Sequence, residues 1–239
     1  MKWEAFKDKF HPSWHARMQP FIESEECDKI YAFLKAESKR GKKVAPISMH
    51  VWRCFLETPL DELKVVLVGM CPYHTFKNDA PVADGLLMGC SVTGQVQPSL
   101  DQFYRAMEKE FYNGLNLDII ENPDVSFLAH QGVLMLNAAL TTEKDKAGSH
   151  MEIWEPFIKY LFEEIINHLG VPIVFLGKDA ARYKKYTGIF THVFEVSHPA
   201  SASYKGIDWD TEGVFKKVNR LLDETNGDTV LWVDIDPPF

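Results

Sequence analysis

The sequence predicts an α/β protein built on a central four-stranded parallel sheet that is flanked by helices. Two observations predict it. Four short apolar runs have the length and continuity of strands buried on both faces. Helical patterns lie between these runs, and such alternation is typical of parallel sheets. We expect a single domain over residues 1–239, with an N-terminal helical part at 1–60 and an α/β core at 61–239.

The four predicted strands each end in small or polar residues. They are 64–69, 133–137, 172–177 and 192–197. Because parallel strands share one carboxyl edge, the sheet predicts a ligand site outside that edge.

The predicted helices follow an amphipathic spacing of apolar residues. They are 21–40, 99–111, 154–169, 179–186 and 211–224. Pro98 and Ser99 form a good helix start, and Gly170 follows the last apolar residue of the third helix.

The composition excludes several classes of protein. Hydrophobic residues make up 46% and charged residues 25%, which is ordinary for a globular chain and unlike a disordered chain, a collagen or a coiled-coil rod. The net charge of −8 argues against general coating of nucleic acid but leaves a local basic groove open. We expect no membrane segment, since no apolar stretch reaches the ~18 residues of a membrane helix, and no secretory signal in the charged first residues.

The cysteines predict neither a zinc ribbon, nor a disulfide scaffold, nor an iron–sulfur centre, because no Cys-x-x-Cys pair occurs. The four are Cys27, Cys54, Cys71 and Cys90. A reducing compartment follows, and we expect the protein in the cytoplasm or nucleus.

Three predicted strand ends carry polar and aromatic residues that would meet over one crevice. The first strand runs into Gly-Met-Cys-Pro-Tyr-His at 69–74, the second ends at Asn137, and the fourth leads into His198. An asparagine, a histidine and a tyrosine together exceed what core packing requires, so we expect a binding pocket.

These motifs resemble the family-1 uracil-DNA glycosylases, from about Trp52 to Trp232. The segment 69–74 is similar to the family's G-Q-D-P-Y-H, 83–89 to its A-H-G-L-x-F-S and 97–100 to its P-P-S-L. Further along the chain, 131–142 is similar to Q-G-V-L-L-L-N-x-x-L-T-V and 198–203 to H-P-S-P-L-S. Ser149-His150 and Trp154-Glu155 match the family's S-H and the W-E that follows it. The resemblance implies the glycosylase fold and hydrolysis of the N-glycosidic bond of a uracil rotated out of DNA. It implies no metal or other cofactor.

The resemblance also implies roles for individual residues, and a base pocket lined by Met70, Cys71, Tyr73, Met88, Asn137 and His198. His198 would stabilise the departing base through its O2 atom, Asn137 would read the polar edge of the base, and Tyr73 would exclude a thymine methyl group. His74 keeps the histidine of the first loop, and with His198 and Cys71 it forms the predicted catalytic set. The DNA backbone would be contacted by Ser99, Ser201 and Ser203.

Five positions depart from the family pattern. Cys71 replaces the aspartate that positions water and balances the sugar charge. Met70 replaces a glutamine, Met88 the stacking phenylalanine, Ala202 the leucine that wedges into the duplex, and Ala200 a serine. A lost acid–base group typically costs ~10²–10⁴ in rate, so the resemblance implies an altered mechanism or base preference.

Two local questions stay open at this point. Cys71 is an inert buried thiol, a position that drifted after catalysis was lost, or a nucleophile activated beside His74. The loop 75–84 is longer than the family's, and we expect its Asp79 and Asp84 to be solvated unless one of them substitutes for the missing carboxylate.

Three functions of different class follow. The first is a monomeric DNA glycosylase of altered mechanism or specificity, acting on single- or double-stranded DNA. The second is a catalytically inactive DNA-binding or partner-binding protein on the same fold, with the loop 75–84 as the recognition surface for a protein partner. The third, a small-molecule or nucleotide-binding α/β domain, fits the ordered motifs least.

Overall fold

The structure is a computed structural model that describes residues 2–112, 121–189 and 191–234. The strands of this part are β1 (Val44–Ala45), β2 (Val65–Gly69), β3 (Phe76–Lys77), β4 (Ala80–Pro81), β5 (Val133–Asn137), β6 (Thr142–Glu143), β7 (Ile173–Leu176) and β8 (Val193–Val196). The central sheet has the order β5-β2-β7-β8 with all neighbours parallel, so the predicted fold class is confirmed.

The α-helices of the described residues are α1 (His15–Ile22), α2 (Glu25–Lys39), α3 (Arg53–Glu57), α4 (Pro98–Tyr112), α5 (Ser126–Ala129), α6 (Met151–Tyr160), α7 (Lys178–Ala181), α8 (Pro199–Lys205) and α9 (Val214–Asn226). A π-helical turn at Leu161–Ile165 continues α6, and short 3-10 turns lie at Trp3–Ala5, Lys7–Lys9, Pro12–Trp14, Ser48–His50, Leu60–Glu62, Ile166–His168 and Arg182–Tyr186.

The central strands form because their residues are apolar on both faces. Every residue of β2, β5 and β7 is buried, as expected for parallel strands covered by helices. The edge strand β8 is more exposed and carries Glu195 toward solvent. The register pairs Gly69 with Asn137, so β2 and β5 end at the same level.

The predicted helices at 21–40 and 154–169 differ most from the structure. The pattern at 21–40 divides into α1 and α2 because Ser24 caps α2, its Oγ accepting a hydrogen bond from the Cys27 N–H at 3.3 Å. The third predicted helix begins at Met151, three residues before the expected start, and its end is π-helical and then 3-10.

The segment after β8, for which the sequence predicts no helix, forms the helix α8. Pro199 occupies the first helical position, which its missing N–H suits. The His198 side chain caps the helix, and the small residues 200–203 place no bulky side chain in the first turns.

The N-terminal helical part packs on the core through aromatic rings. Trp52 makes edge contacts with Trp154 at 5.5 Å and with Phe157 at 5.0 Å between ring centroids. Such pairs stabilise the fold beyond what the burial of their apolar area contributes. The division of the chain at residue 60 stays a prediction.

The loop 75–84 contains a small hairpin of β3 and β4. Asn78 and Asp79 at its tip have left-handed φ angles of 49° and 65°, and Asp79 forms an exposed ion pair with Lys43 at 2.6 Å. Within the described residues, no helix combines the length and the apolar character needed to cross a bilayer.

Candidate active site at the carboxyl edge of the sheet

Asn137 ends β5 beside the end of β2 and is only 2% exposed. Its Oδ1 atom is buried without a hydrogen-bond partner among the described residues. Gly69 opposite leaves the room that this amide needs, because a Cβ there would lie 3.4 Å from Oδ1 and 2.3 Å from Leu87 Cδ1. A buried unpaired acceptor costs ~1–3 kcal/mol, so this oxygen is suited to receive a donor from a ligand.

His198 follows β8 and is the N-cap residue of α8. Its Nδ1 atom accepts a hydrogen bond from the Ala200 N–H at 3.1 Å. The proton of the neutral ring is therefore on Nε2, which can donate. Burial lowers the pKa of His198, so the ring is neutral at physiological pH. Gly177 at the end of β7 packs against this residue, since a Cβ there would meet the His198 Cβ at 2.9 Å.

Cys71 lies in the loop after β2 and is a protonated thiol. Its Sγ atom accepts a hydrogen bond from the Gly148 N–H at 3.2 Å. Burial raises the pKa of the thiol above its usual value of 9.0, so at neutral pH it carries no charge. No hydrogen bond joins Cys71 to His74 in the part of the chain that the structure describes. The arrangement of a thiol activated by His74 is not formed.

Backbone hydrogen bonds hold the loop after β2 against the loop after β5. The Ala138 N–H donates to Gly69 O at 2.8 Å, and the Ala139 N–H donates to Met70 O at 3.0 Å. The Met70 side chain lies toward Gly148, where a Cβ would be 3.5 Å from its Sδ atom. The positions of Met70 and Cys71 are thus fixed relative to Asn137.

Tyr73 and His74 complete this loop. The Tyr73 hydroxyl forms a 2.5 Å hydrogen bond with the hydroxyl of Ser99 in the first turn of α4, and burial raises the pKa of the phenol. His74 is half-buried, and its Nδ1 atom has no partner among the described residues. Its carbonyl oxygen accepts from the Asp145 N–H at 3.0 Å.

The three serines predicted to contact DNA differ in exposure. Ser99 is buried against Tyr73, Ser201 is exposed, and Ser203 is half-buried. Residues two apart on a helix face different directions, so Ser201 and Ser203 lie on different faces of α8. Their contacts with phosphate stay predictions.

Met88 is buried and has a left-handed φ of 60°, a rare conformation for a side chain of this size. The segment that contains it wraps around the Asp84 carboxylate. Asp84 accepts hydrogen bonds from Leu86 N at 3.1 Å and from the Ser91 N and Oγ atoms at 3.1 and 2.6 Å. Asp84 thus fixes the segment from which Met88 projects.

The interpretation of Asp84 as a solvated loop residue is wrong. Its side chain is 0% exposed and pairs with Arg53 at 2.9 Å, while Arg53 also pairs with Asp124 at 3.0 Å and Glu57 at 3.2 Å. A Cβ on Gly89 would lie 2.1 Å from Asp84 Oδ1. This carboxylate is fully engaged and cannot substitute for the missing aspartate. In the sequence, only the four-residue spacing of Arg53 and Glu57 could have indicated the cluster.

Across the described ranges, no three His, Cys, Asp or Glu side chains are grouped so that they could hold a metal ion. All four cysteines are free.

Comparison with known proteins identifies the family. The model of the uracil DNA glycosylase superfamily matches residues 56–223. The chain belongs to this superfamily. A uracil-DNA glycosylase of Streptococcus pneumoniae (strain Hungary19A-6) is 33% identical over 228 residues, which cover 93% of this chain and 99% of the relative.

Solved structures of the superfamily share the fold. Mimivirus uracil-DNA glycosylase superimposes with a TM-score of 0.80 at 20% identity, covering 96% of this chain and 92% of the viral one. A structure from Nitratifractor salsuginis superimposes with a TM-score of 0.60 at 17% identity, covering 92% and 94%. The central sheet and its helices are therefore those of the superfamily.

Proposed function

We propose that the protein is a DNA N-glycosylase that binds a flipped uracil or unusual base at the carboxyl edge of the sheet. It hydrolyses the N-glycosidic bond by a mechanism altered at Cys71. The observation that carries the proposal is the buried, unpaired Oδ1 atom of Asn137 near the end of β2, on the same edge as a neutral His198. The family membership and the relatives named uracil-DNA glycosylase support it.

Asn137 and His198 can serve the base in different ways. The amide of Asn137 offers one acceptor and one donor pair, which suits the hydrogen-bonding edge of a flipped pyrimidine. When the bond between the sugar and the base breaks, its electron pair moves onto the base. The Nε2–H of His198 then donates to an oxygen that becomes negative, and such preorganised donors are a large term in catalysis.

Around the sugar, this chain departs from the family pattern. A water must attack the anomeric carbon and lose a proton, while positive charge develops on the sugar. The protonated Cys71 thiol supplies neither a base nor a negative charge at neutral pH. Loss of a positioned acid–base group lowers a rate by ~10²–10⁴, so excision of uracil is expected to be slow.

The experiment is a base-release assay with single- and double-stranded oligonucleotides. The panel contains uracil, hypoxanthine, 5-substituted pyrimidines and alkylated bases, each incubated with the wild type and with His198→Ala. Release of at least one base by the wild type, abolished in the variant, supports the proposal. Release that is unchanged by the variant contradicts it.

The alternative is a catalytically inactive DNA-binding or partner-binding protein on the glycosylase fold. The uncharged Cys71 favours it, because the residue replaces an acid–base group with an inert one. DNA binding without release of any base in the panel would support this alternative. The exposed hairpin of the loop 75–84 would then be the surface to test for a protein partner.

A further inference from the structure

A basic surface lies beside the loop that carries Cys71 and His74. Its cationic side chains come from three segments: the end of α2 with the turn before β1, the hairpin of β3 and β4, and the turn after β6. They are Arg40, Lys42, Lys43, Lys77, Lys144 and Lys146. The same segments carry four carboxylates, those of Glu37, Asp79, Glu143 and Asp145. This basic surface therefore has an excess of positive charge in a chain whose net charge is −8.

Backbone contacts bring the three segments together next to the proposed pocket. The strands β1 and β6 pair in an antiparallel sheet, and beyond that pairing the Lys144 N–H donates to Lys43 O at 2.8 Å. The Asp145 N–H donates to His74 O at 3.0 Å. Since His74 follows Cys71 by three residues and leads directly into the hairpin, the basic surface borders the site at the loop after β2.

Three ammonium groups of the basic surface are available to a ligand. Lys77 and Lys144 form no ion pair with a described residue, and Lys144 Nζ lies 5.6 Å from the centroid of the Phe76 ring, which orients the charge without neutralising it. Lys43 pairs with Asp79 at 2.6 Å, but their side chains are 47% and 80% exposed. An ion pair this exposed contributes little, so Lys43 can exchange it for another anion.

The other cations of the basic surface are held by carboxylates. Lys42 pairs with Glu37 and Glu143, and Lys146 also pairs with Glu143. Arg40 pairs with Glu37 at 3.2 Å. These pairs join the end of α2 to the turn after β6, so they fix the frame on which the three available ammonium groups are mounted.

The partner that fits this surface is a polyanion, and the adjacent pocket identifies it as a DNA strand. Lysine contacts with phosphates position a strand without reading its sequence. We propose that Lys43, Lys77 and Lys144 bind backbone phosphates of the DNA strand outside the flipped nucleotide. The hairpin of the long loop 75–84 supplies Lys77 and holds Lys43 through Asp79. The inference rests on the proposed function, which places a DNA strand at this edge of the sheet.

The test measures the binding of fluorescently labelled single strands by anisotropy over a range of salt concentrations. Two strands are used, which differ only in uracil or thymine at one central position. The first variant replaces Lys43, Lys77 and Lys144 together by Gln. Its matched control replaces three exposed lysines of α6, the turn Arg182–Tyr186 and α9 by Gln, and these are Lys159, Lys184 and Lys217.

A second variant should act in the opposite direction. Asp79→Asn removes the carboxylate that competes for Lys43, and asparagine tolerates the left-handed φ of 65° at this position. Its matched control is Glu195→Gln on the edge strand β8, which frees Lys184 from an exposed ion pair of the same length, 2.6 Å. A change that merely disturbed the hairpin would not strengthen binding.

We expect the triple lysine variant to bind both strands about tenfold more weakly than the wild type. The slope of log affinity against log salt should fall in magnitude by about 2, since each phosphate contact to a single strand contributes about 0.7. Asp79→Asn should bind about threefold more tightly. Both controls should match the wild type, and the preference for uracil over thymine should not change in any variant.

A salt slope that is equal in the triple lysine variant and its control would overturn the inference, and the hairpin would then be left to a protein partner. A loss confined to the uracil strand would also overturn it, because phosphate contacts act on both strands. A wild type that shows no preference for uracil and releases no base would defeat the proposed function, while a reduced slope in the variant would still support the basic surface. A wild type that binds neither strand would overturn both.

Discussion

Two regions of this protein bury polar side chains, and they do so in opposite ways. In the cluster around Asp84, the carboxylate accepts three hydrogen bonds and pairs with Arg53. At the end of β5, the Oδ1 atom of Asn137 is buried with no partner among the described residues. Both side chains are almost fully inaccessible, at 0% and 2% exposure.

The difference distinguishes a buried polar group that stabilises the fold from one that is proposed to bind a ligand. Buried polar groups in native proteins are nearly always hydrogen-bonded, and an exception calls for an explanation. Asp84 is satisfied within the fold, so its role is to hold the segment 84–91. Asn137 is unsatisfied within the fold, which is consistent with the proposed function, in which a bound base supplies the missing partner.

The largest effect is expected at His198, because its side chain caps α8 and, in the proposed function, also contacts the base. His198→Ala should lower base release by ~10²–10³, because the donor to the departing base is lost. His198→Asn should lose activity similarly, while keeping a residue type that caps helices well. Single-turnover release and thermal unfolding are measured for both variants. An active His198→Asn would show that only the cap matters.

The next largest effect is on stability, and it tests the contrast between Asp84 and Asn137 directly. Asp84→Ala should lower the free energy of unfolding by about 3–5 kcal/mol, because it leaves the buried Arg53 charge without this partner. Asn137→Ala should change it by less than about 1 kcal/mol, since a cavity is created but an unpaired polar group is removed. Urea unfolding measures both. Equal losses would contradict the distinction between the two regions.

The smallest effect is the pH dependence of base release. Burial lowers the pKa of His198 from 6.5, so the neutral ring that the proposed function requires persists at neutral pH and is lost only in more acidic solution. Activity should therefore be flat near pH 7 and fall several-fold as the pH drops below 6.5 through the lowered pKa. The neutral ring also favours the folded state above pH 6.5, and this contribution is lost on acidification.

A rise in rate toward pH 9 would instead indicate a thiolate. The pKa of Cys71 is raised by burial, so no such rise is expected in the neutral range. A pH–rate profile of the wild type, with Cys71→Ala as the control, distinguishes the two cases.

The sequence was sufficient for the sheet and for the placement of Asn137 and His198 on one edge. Continuous apolar runs predict buried parallel strands, and the polar residues at their ends predict the edge at which the proposed site lies. The burial of Asp84 was not predictable in this way, because its partners Arg53 and Ser91 come from distant or irregular segments. The helix α8 was missed because seven small and polar residues carry no apolar periodicity.

The exposure of Tyr204 was also beyond the sequence. A tyrosine after a short run of small residues is compatible with burial or with solvent, and only the packing of α8 on α4 decides. The orphaned oxygen of Asn137 likewise depends on Gly69 and Leu87, which approach it through tertiary structure.

The measurement that tests the central claim most directly is the release of uracil from a single strand by Cys71→Asp. The Gly148 N–H that now donates to Sγ is placed to donate to a carboxylate. We expect Cys71→Asp to release uracil at least ~10²-fold faster than the wild type. It should exceed Cys71→Asn by the same factor, because Asn has the shape of Asp but no charge. Adding His198→Ala to Cys71→Asp should abolish the gain. Equal rates for Cys71→Asp, Cys71→Asn and the wild type would contradict the claim that this edge of the sheet forms a uracil pocket that lacks only the carboxylate.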